Sequence, residues 1–341
     1  MVGPTGPLLY TGAVRSPLGT RKTTHEVCIE NIPYLEDGFR VAGGDEFALI
    51  GDAPKVYLIS HAAGEAQAYI AKAARREGPI ECVTEYLITR ISRHLPLRTA
   101  EGRLVRLRTT SAEPDVRFLS RQFLNRSSGE QLVHGSELVA RCFEIKGEEL
   151  FREVPKGHEW SFYTVDLIDQ VLGNVATHGE GPELRAAFAR MMAFDAIVGA
   201  NDRHPQNWGV ITTARTVGHL RFAPVFDTAR GLFWNHHDPR LEKWDNEGSR
   251  NAKIEHYANR SVPLIGLEKS VRPNHFDVIA EMAADARFRA PIVQVLRGYN
   301  PDAVTRLLHN EFRRLLSRRR LEYIDALLRF RHAKLKEVSR M

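Results

Sequence analysis

The stretch from Pro182 to Asp227 constrains this chain more than any other. It opens on a long segment, Pro182 to about Ala200, in which Leu184, Phe188, Met191, Met192, Phe194, Ile197 and Val198 recur at helical spacing on a broad core face. The next residues, Asn201-Asp-Arg-His-Pro-Gln-Asn207, are too polar and too proline-broken to continue that helix. Trp208–Thr212 and Leu220–Phe226 then read as two strands around a polar turn. Such a hairpin carries Asp227 back beside Asn207.

The flanking pattern divides the chain. The first 60 residues are rich in Gly, Pro and short β-like runs such as Val56–Ile59, and Gly44 and Gly51 flank an apolar Phe47–Ile50; this predicts hairpins. Ala68–Lys72 reads as a strand. Thr84–His94 reads as a helix with Tyr86, Leu87, Ile91 and Leu95 on one face, limited by Pro96. Leu104–Arg108 and Val116–Phe123 read as two more strands. From about Gly129 helical periodicity dominates through Leu138, Val139 and Phe143, and again over Tyr163–Leu172. Helices return from His275 to the end, the last spanning about Asp302–Glu337. No internal repeat or low-complexity tract interrupts this order. With 341 residues, and roughly 150 per domain as a prior, the expectation is an α+β chain of two lobes. Residues 1–124 form the small β-rich lobe and residues 125–341 the larger helical one, joined near 124–130.

Composition excludes several classes. At 43% hydrophobic and 26% charged the chain is globular, not disordered. No apolar run approaches the roughly 20 residues that span a bilayer, and no secretory signal stands at the start. Cys28, Cys82 and Cys142 are isolated, which predicts free thiols and a cytoplasmic setting. A net charge of +6 suits an anionic partner, whether nucleotide phosphates, nucleic acid or an acidic protein. The cluster Arg313, Arg314, Arg318, Arg319 and Arg320 interleaves with Leu315, Leu316, Leu321, Ile324, Leu327 and Leu328. That pattern predicts a solvated face on a packed helix, and without interleaved aromatics nucleic acid is not the expected partner. His236-His-Asp238, with His256 and His275, matches no compact zinc spacing. Trp160, Trp208, Trp234 and Trp244 are expected in packing, and no hydrolase motif occurs.

Asp202, Asn207 and Asp227 carry the chemistry. Phosphoryl transfer needs one group to orient and accept the proton of an attacking hydroxyl, and oxygen ligands for magnesium on the nucleotide phosphates. An Asp followed five positions later by an Asn, on a loop leaving a helix, supplies both; a second Asp after the next hairpin supplies the main metal ligand.

The segment Phe194–Ile211 followed by Phe222-Ala-Pro-Val-Phe-Asp227 resembles the core of HipA-like serine/threonine kinases. In that family an apolar helix ends in a Gly, an Asp-x-His-x-x-Asn loop follows, and a strand pair ends in Pro-x-aromatic-Asp. The Asp-Arg-His form is also similar to the catalytic loop of phosphatidylinositol 3/4-kinases. Upstream, Tyr69-Ile-Ala-Lys72 is similar to the family's ATP-lysine strand, Thr84-Glu85-Tyr86 to the helix bearing the lysine's partner, and Val116–Phe123 to the strand entering the hinge.

The resemblance implies a bilobal protein-kinase-like fold that uses ATP and Mg2+ to phosphorylate a hydroxyl, first of all Ser or Thr of a protein, itself included. Asp202 would be the base, Asn207 and Asp227 the magnesium ligands, and Lys72 the phosphate contact paired with Glu85. Lys55 and Glu81 compete with Lys72 and Glu85 for those roles. His204 would either brace the loop or touch the γ-phosphate. HipA itself carries an N-terminal subdomain ahead of the lysine that contacts an antitoxin. Lys72 leaves no room for all of it, so an antitoxin partner is in doubt and the shorter, stand-alone kind is the better match. No clean glycine loop is present; Gly12 and Gly19, or Gly43-Gly44, are the candidates. The alternatives are a lipid or small-molecule kinase and a nucleotide-binding pseudokinase scaffold.

Overall fold

A computed structural model describes residues 27–42, 55–60, 66–74, 80–108, 115–146, 149–150, 153–154, 158–176, 178–213, 220–268 and 272–341. The run Phe47–Ile50, its flanking Gly44 and Gly51, and the candidate loop glycines Gly12, Gly19 and Gly43 lie outside the described residues.

Among the described residues, five antiparallel strands form the first sheet: β1 (Phe39–Val41), β2 (Lys55–Ser60), β3 (Gln67–Ala73), β4 (Gly102–Leu107) and β5 (Asp115–Arg121), in the order β1-β2-β3-β5-β4. The period of two separates its faces. Val56, Leu58, Ala71, Val105 and Leu119 pack with Leu35 and Phe39 into a small core on one side. Leu104, Val116 and Phe118 face the main core on the other, where α1 (Ile80–Ser92) lies. Lys72 shares that second face, opposite Phe118 of β5 and Lys55 of β2.

The remainder is mostly helical. β6 (Glu130–His134) leads into α2 (Gly135–Cys142); α3 (Glu159–Phe162), α4 (Val165–Val175) and α5 (Gly181–Val198) follow. α5 is the spine: Leu184, Phe188, Met191, Met192, Phe194, Ile197 and Val198 are all buried. It packs against α4, α8 (His275–Ala284), α9 (Ala286–Gly298) and α11 (Arg318–Val338). Apolar burial all round is what a broad helical face requires. α6 (Asp238–Asn246), α7 (Arg250–Arg260) and α10 (Pro301–Leu307) are further helices among the described residues. None of the helices among the described residues is long and apolar enough to cross a membrane.

Several expectations need correction. Helical periodicity from Gly129 predicted no strand there, but Glu130–His134 pairs with β7 (Gly209–Thr213), which also pairs with β8 (Arg221–Phe222). In β6 only Val133 is buried, so its sequence carries almost no period-two signal; the pairing is set by β7, far along the chain. The single helix over Asp302–Glu337 is in fact interrupted. After α10 a π turn, Leu308–Phe312, brings the chain to Leu316, which bridges Val27; α11 then restarts at Arg318, capped by Ser317. The leucines of the basic cluster are buried as expected, and Arg313, Arg314 and Arg318 are exposed, whereas Arg319 is half-buried and pairs with Asp245 at 3.0 Å. Arg320 is not on the solvated face. It is 1% exposed and donates to Asp238 at 2.8 Å and to the His236 carbonyl at 2.6 Å. The His236–Asp238 motif thus receives an arginine, and no group of three metal-ligating residues occurs among the described residues.

Candidate active site

α5 ends at Gly199, which adopts φ 66°, ψ 44°. This left-handed C-cap favours glycine, because a Cβ is disfavoured there, and it turns the chain sharply into the polar loop. The loop is then held from inside. Arg203, 1% exposed, forms a bidentate pair with fully buried Asp195 of α5, at 2.7 Å and 2.9 Å. Its Nη1 also donates to the Asn207 carbonyl at 2.6 Å and to the Phe226 carbonyl at 2.8 Å. One guanidinium therefore fixes the end of the loop against the residue preceding Asp227. Sequence reasoning gave Arg203 and Asp195 no role. Their signal was a charged pair eight residues apart, with Asp195 on an otherwise apolar helical stretch.

Asn207 is 4% exposed and donates its side-chain amide to the Asp202 carbonyl at 2.8 Å. That bond turns the amide so that its oxygen is the remaining polar atom. Asp227 has φ 55°, strained for a residue with a side chain, and such strain persists where the surroundings over-determine it. Phe226 packs its ring 5.6 Å from Phe123, and Val225 exchanges backbone hydrogen bonds with Arg98 and Ala100, both at 2.8 Å. The segment bearing Asp227 is thereby tied to the chain just after α1.

Lys72 joins the two sides. Its Nζ donates to Glu85 Oε1 of α1 at 2.7 Å and to Asp227 Oδ1 at 3.3 Å. Burial opposes the ammonium, but Asp227 and Glu85 more than offset it, so Lys72 is held cationic, above lysine's ordinary value. Burial would raise the Asp227 carboxyl; Lys72 foremost, then Lys55, holds it well below the usual range. Lys55 and Glu81 line the same small pocket of about 30 Å3 as Lys72, Glu85, Asp202 and Asp227. His204 accepts the Gln206 backbone N–H at Nδ1, 3.2 Å, and burial pushes its imidazole down to about 4. Asp202 receives Arg230 at 2.9 Å. All six expected site residues are thus near one another on the loop, its following hairpin, β3 and α1.

The donor set suits a hard divalent cation. One carboxylate and one amide oxygen, completed by phosphate oxygens and water, is how magnesium is held at nucleotide sites. Next to it, under the inner face of the first sheet, a cavity of about 1480 Å3 is lined by Tyr57, Ile59, Ala68, Phe123, Leu124 and neighbouring residues, room enough for a nucleotide.

The sequence profile of the HipA-like C-terminal domain family matches residues 47–288. The chain belongs to this family. Among curated proteins none matches it. Among solved structures it is similar to the Helicobacter pylori proinflammatory kinase CtkA, with a TM-score of 0.65 and 18% identity, covering 84% of this chain and 92% of that one. At this identity the likeness establishes a shared fold, a mixed α and β architecture of the kinase kind. Family and fold together support kinase activity in general.

Proposed function

We propose that the chain transfers the γ-phosphoryl group of ATP, with magnesium, to a hydroxyl, first of all that of Ser or Thr in a protein, with itself among the acceptors. The observation that carries this reading is Lys72, which contacts Glu85 and Asp227 at once and so joins the sheet, the α1 helix and the candidate metal-binding segment. In this reading residues 1–124 and 125–341 are the two lobes and the nucleotide lies between them. Asp202 accepts the proton of the attacking hydroxyl. Lys72 leaves Asp227 for the α- and β-phosphates while Glu85 keeps it oriented. Asn207 and Asp227 hold the magnesium, which when bound neutralises charge on the phosphate oxygens. His204, neutral through burial and hydrogen-bonded within its own loop, is assigned to bracing rather than to the γ-phosphate. The setting this implies is the cytoplasm, where ATP and free thiols coexist; Cys28, Cys82 and Cys142 are all free.

Mass spectrometry after incubation with ATP and magnesium tests it. The wild-type chain, alone or with a protein extract, is expected to acquire or deliver phosphate on Ser or Thr, and Asp227→Asn is not. Transfer that persists in Asp227→Asn would refute the site. Transfer only to lipids or small molecules would move the acceptor class and leave the site standing.

A further inference from the structure

Arg230 lies three residues beyond Asp227, and neither the motif nor the family match gives it a task. Its Nη1 donates to Asp202 Oδ1 at 2.9 Å, and its guanidinium sits over Trp234, 5.2 Å from the ring centroid. Its own carbonyl accepts the Asn201 N–H at 2.9 Å, so the residue is pinned to the loop through backbone and side chain alike. The side chain is 27% exposed and lines the small pocket together with Lys72, Asp202 and Asp227.

We infer that Arg230 is a catalytic residue of the proposed phosphoryl transfer: in the free protein its guanidinium is parked on Asp202, and in the transition state it donates to the transferring phosphoryl oxygens. The inference rests on the kinase reading above. A guanidinium bound to Asp202 occupies space that an acceptor hydroxyl must reach, so the pair has to loosen when the acceptor arrives. The cation then lies beside the group under attack. As the acceptor oxygen–phosphorus bond forms, the bond from phosphorus to the β,γ-bridging oxygen breaks and ADP departs with that electron pair. The hydroxyl proton passes to Asp202. Negative charge spreads over the three equatorial oxygens, and the donor fork, freed from Asp202 and kept in the pocket by Trp234, stabilises it. Arginine suits this better than lysine because its planar fork reaches two oxygens at once.

Calorimetric binding of ADP with magnesium, with and without aluminium fluoride as a mimic of the transferring group, tests this on wild type, Arg230→Gln and Arg230→Lys. ADP affinity is expected to stay within about twofold in all three, because the residue acts on the transferred group alone. Affinity for the aluminium fluoride complex should fall about 100-fold in Arg230→Gln, and by an intermediate factor in Arg230→Lys. If Arg230→Gln does not fold, the lysine variant carries the test, since it keeps the charge and loses the fork. Equal changes for both ligands, or no change for either, would overturn the inference and leave Arg230 a structural partner of Asp202. A wild-type chain that binds no ADP at all would instead overturn the kinase reading and this inference with it.

Discussion

Lys72 and Arg203 are both cations set against carboxylates at one cleft, and they are anchored in opposite ways. The Lys72 ammonium keeps 12% of its side chain exposed and touches two carboxylates from different parts of the chain. The contact with Asp227 is a point-charge contact that a phosphate oxygen can replace. Arg203 is 1% exposed, and its planar fork is spent on Asp195 and on two backbone carbonyls. None of those partners can be exchanged without moving the loop. Under the proposed reaction, the contrast divides the site into a part that would rearrange when nucleotide enters and a part that would stay fixed while it does.

The largest expected effect comes from breaking the fixed part. Arg203→Met leaves the Asp195 carboxylate without its partner in the core, which costs about 3–5 kcal/mol in urea unfolding. Arg203→Met combined with Asp195→Leu should recover much of that stability but not the transfer activity, because the carbonyl clamp on Asn207 and Phe226 is still missing. A single variant that loses less than about 1 kcal/mol would erase the distinction between the two cations.

Lys72→Met tests the exchangeable part. Phosphate transfer should fall about 100-fold or more, as for loss of a principal charge-stabilising donor. The stability cost should be smaller than for Arg203, about 1–3 kcal/mol, since Glu85 left behind can take up a proton. A stability loss as large as that of Arg203→Met would mean that Lys72 is scaffold.

Acid probes the loop's surroundings. His204 is held down to about 4 by burial, which outweighs the pull of Asp227, and buried His275 is held well below its ordinary value for the same reason. The folded-state values lie below the unfolded ones, so as pH falls from about 6.5 the unfolded chain gains protons first and stability declines towards pH 4. A total loss of about 3 kcal/mol or more over that window is expected from urea midpoints at several pH values. His275→Gln, whose amide can still donate to the Ala200 carbonyl, should flatten the slope. A slope unchanged by that replacement would exclude His275 as a contributor.

The smallest effect is expected far from the cleft. Arg318 is 91% exposed and pairs with Glu322 one turn on. Arg318→Ala should change stability by less than about 0.5 kcal/mol and transfer not at all.

Much of this architecture was legible because its signals are local. The strand holding Lys72, the helix holding Glu85, and the apolar spine running into a polar loop and a hairpin all announce themselves through periodicity and proline. Glu130–His134 was not legible, since four of its five residues face at least partly outward and its partner strand begins at Gly209. The break before Arg318 was hidden because the leucines on both sides keep helical spacing while the chain detours to reach Val27. Arg320 read as one more surface arginine; only the fold brings Asp238 beneath it. Arg203 was inside the motif yet silent about its task, because a bridge between two backbone carbonyls leaves no trace in residue identities. In the same way, the contact of Arg230 with Asp202 depends on the turn after Asp227.

The most direct test of the central claim is the effect of magnesium on ATP affinity, measured by calorimetry on wild type and Asp227→Asn. If Asp227 and Asn207 hold the metal on the phosphates, magnesium strengthens ATP binding to the wild-type chain, and that enhancement disappears in Asp227→Asn. An enhancement of the same size in both proteins would contradict the account, because the metal would then be held elsewhere.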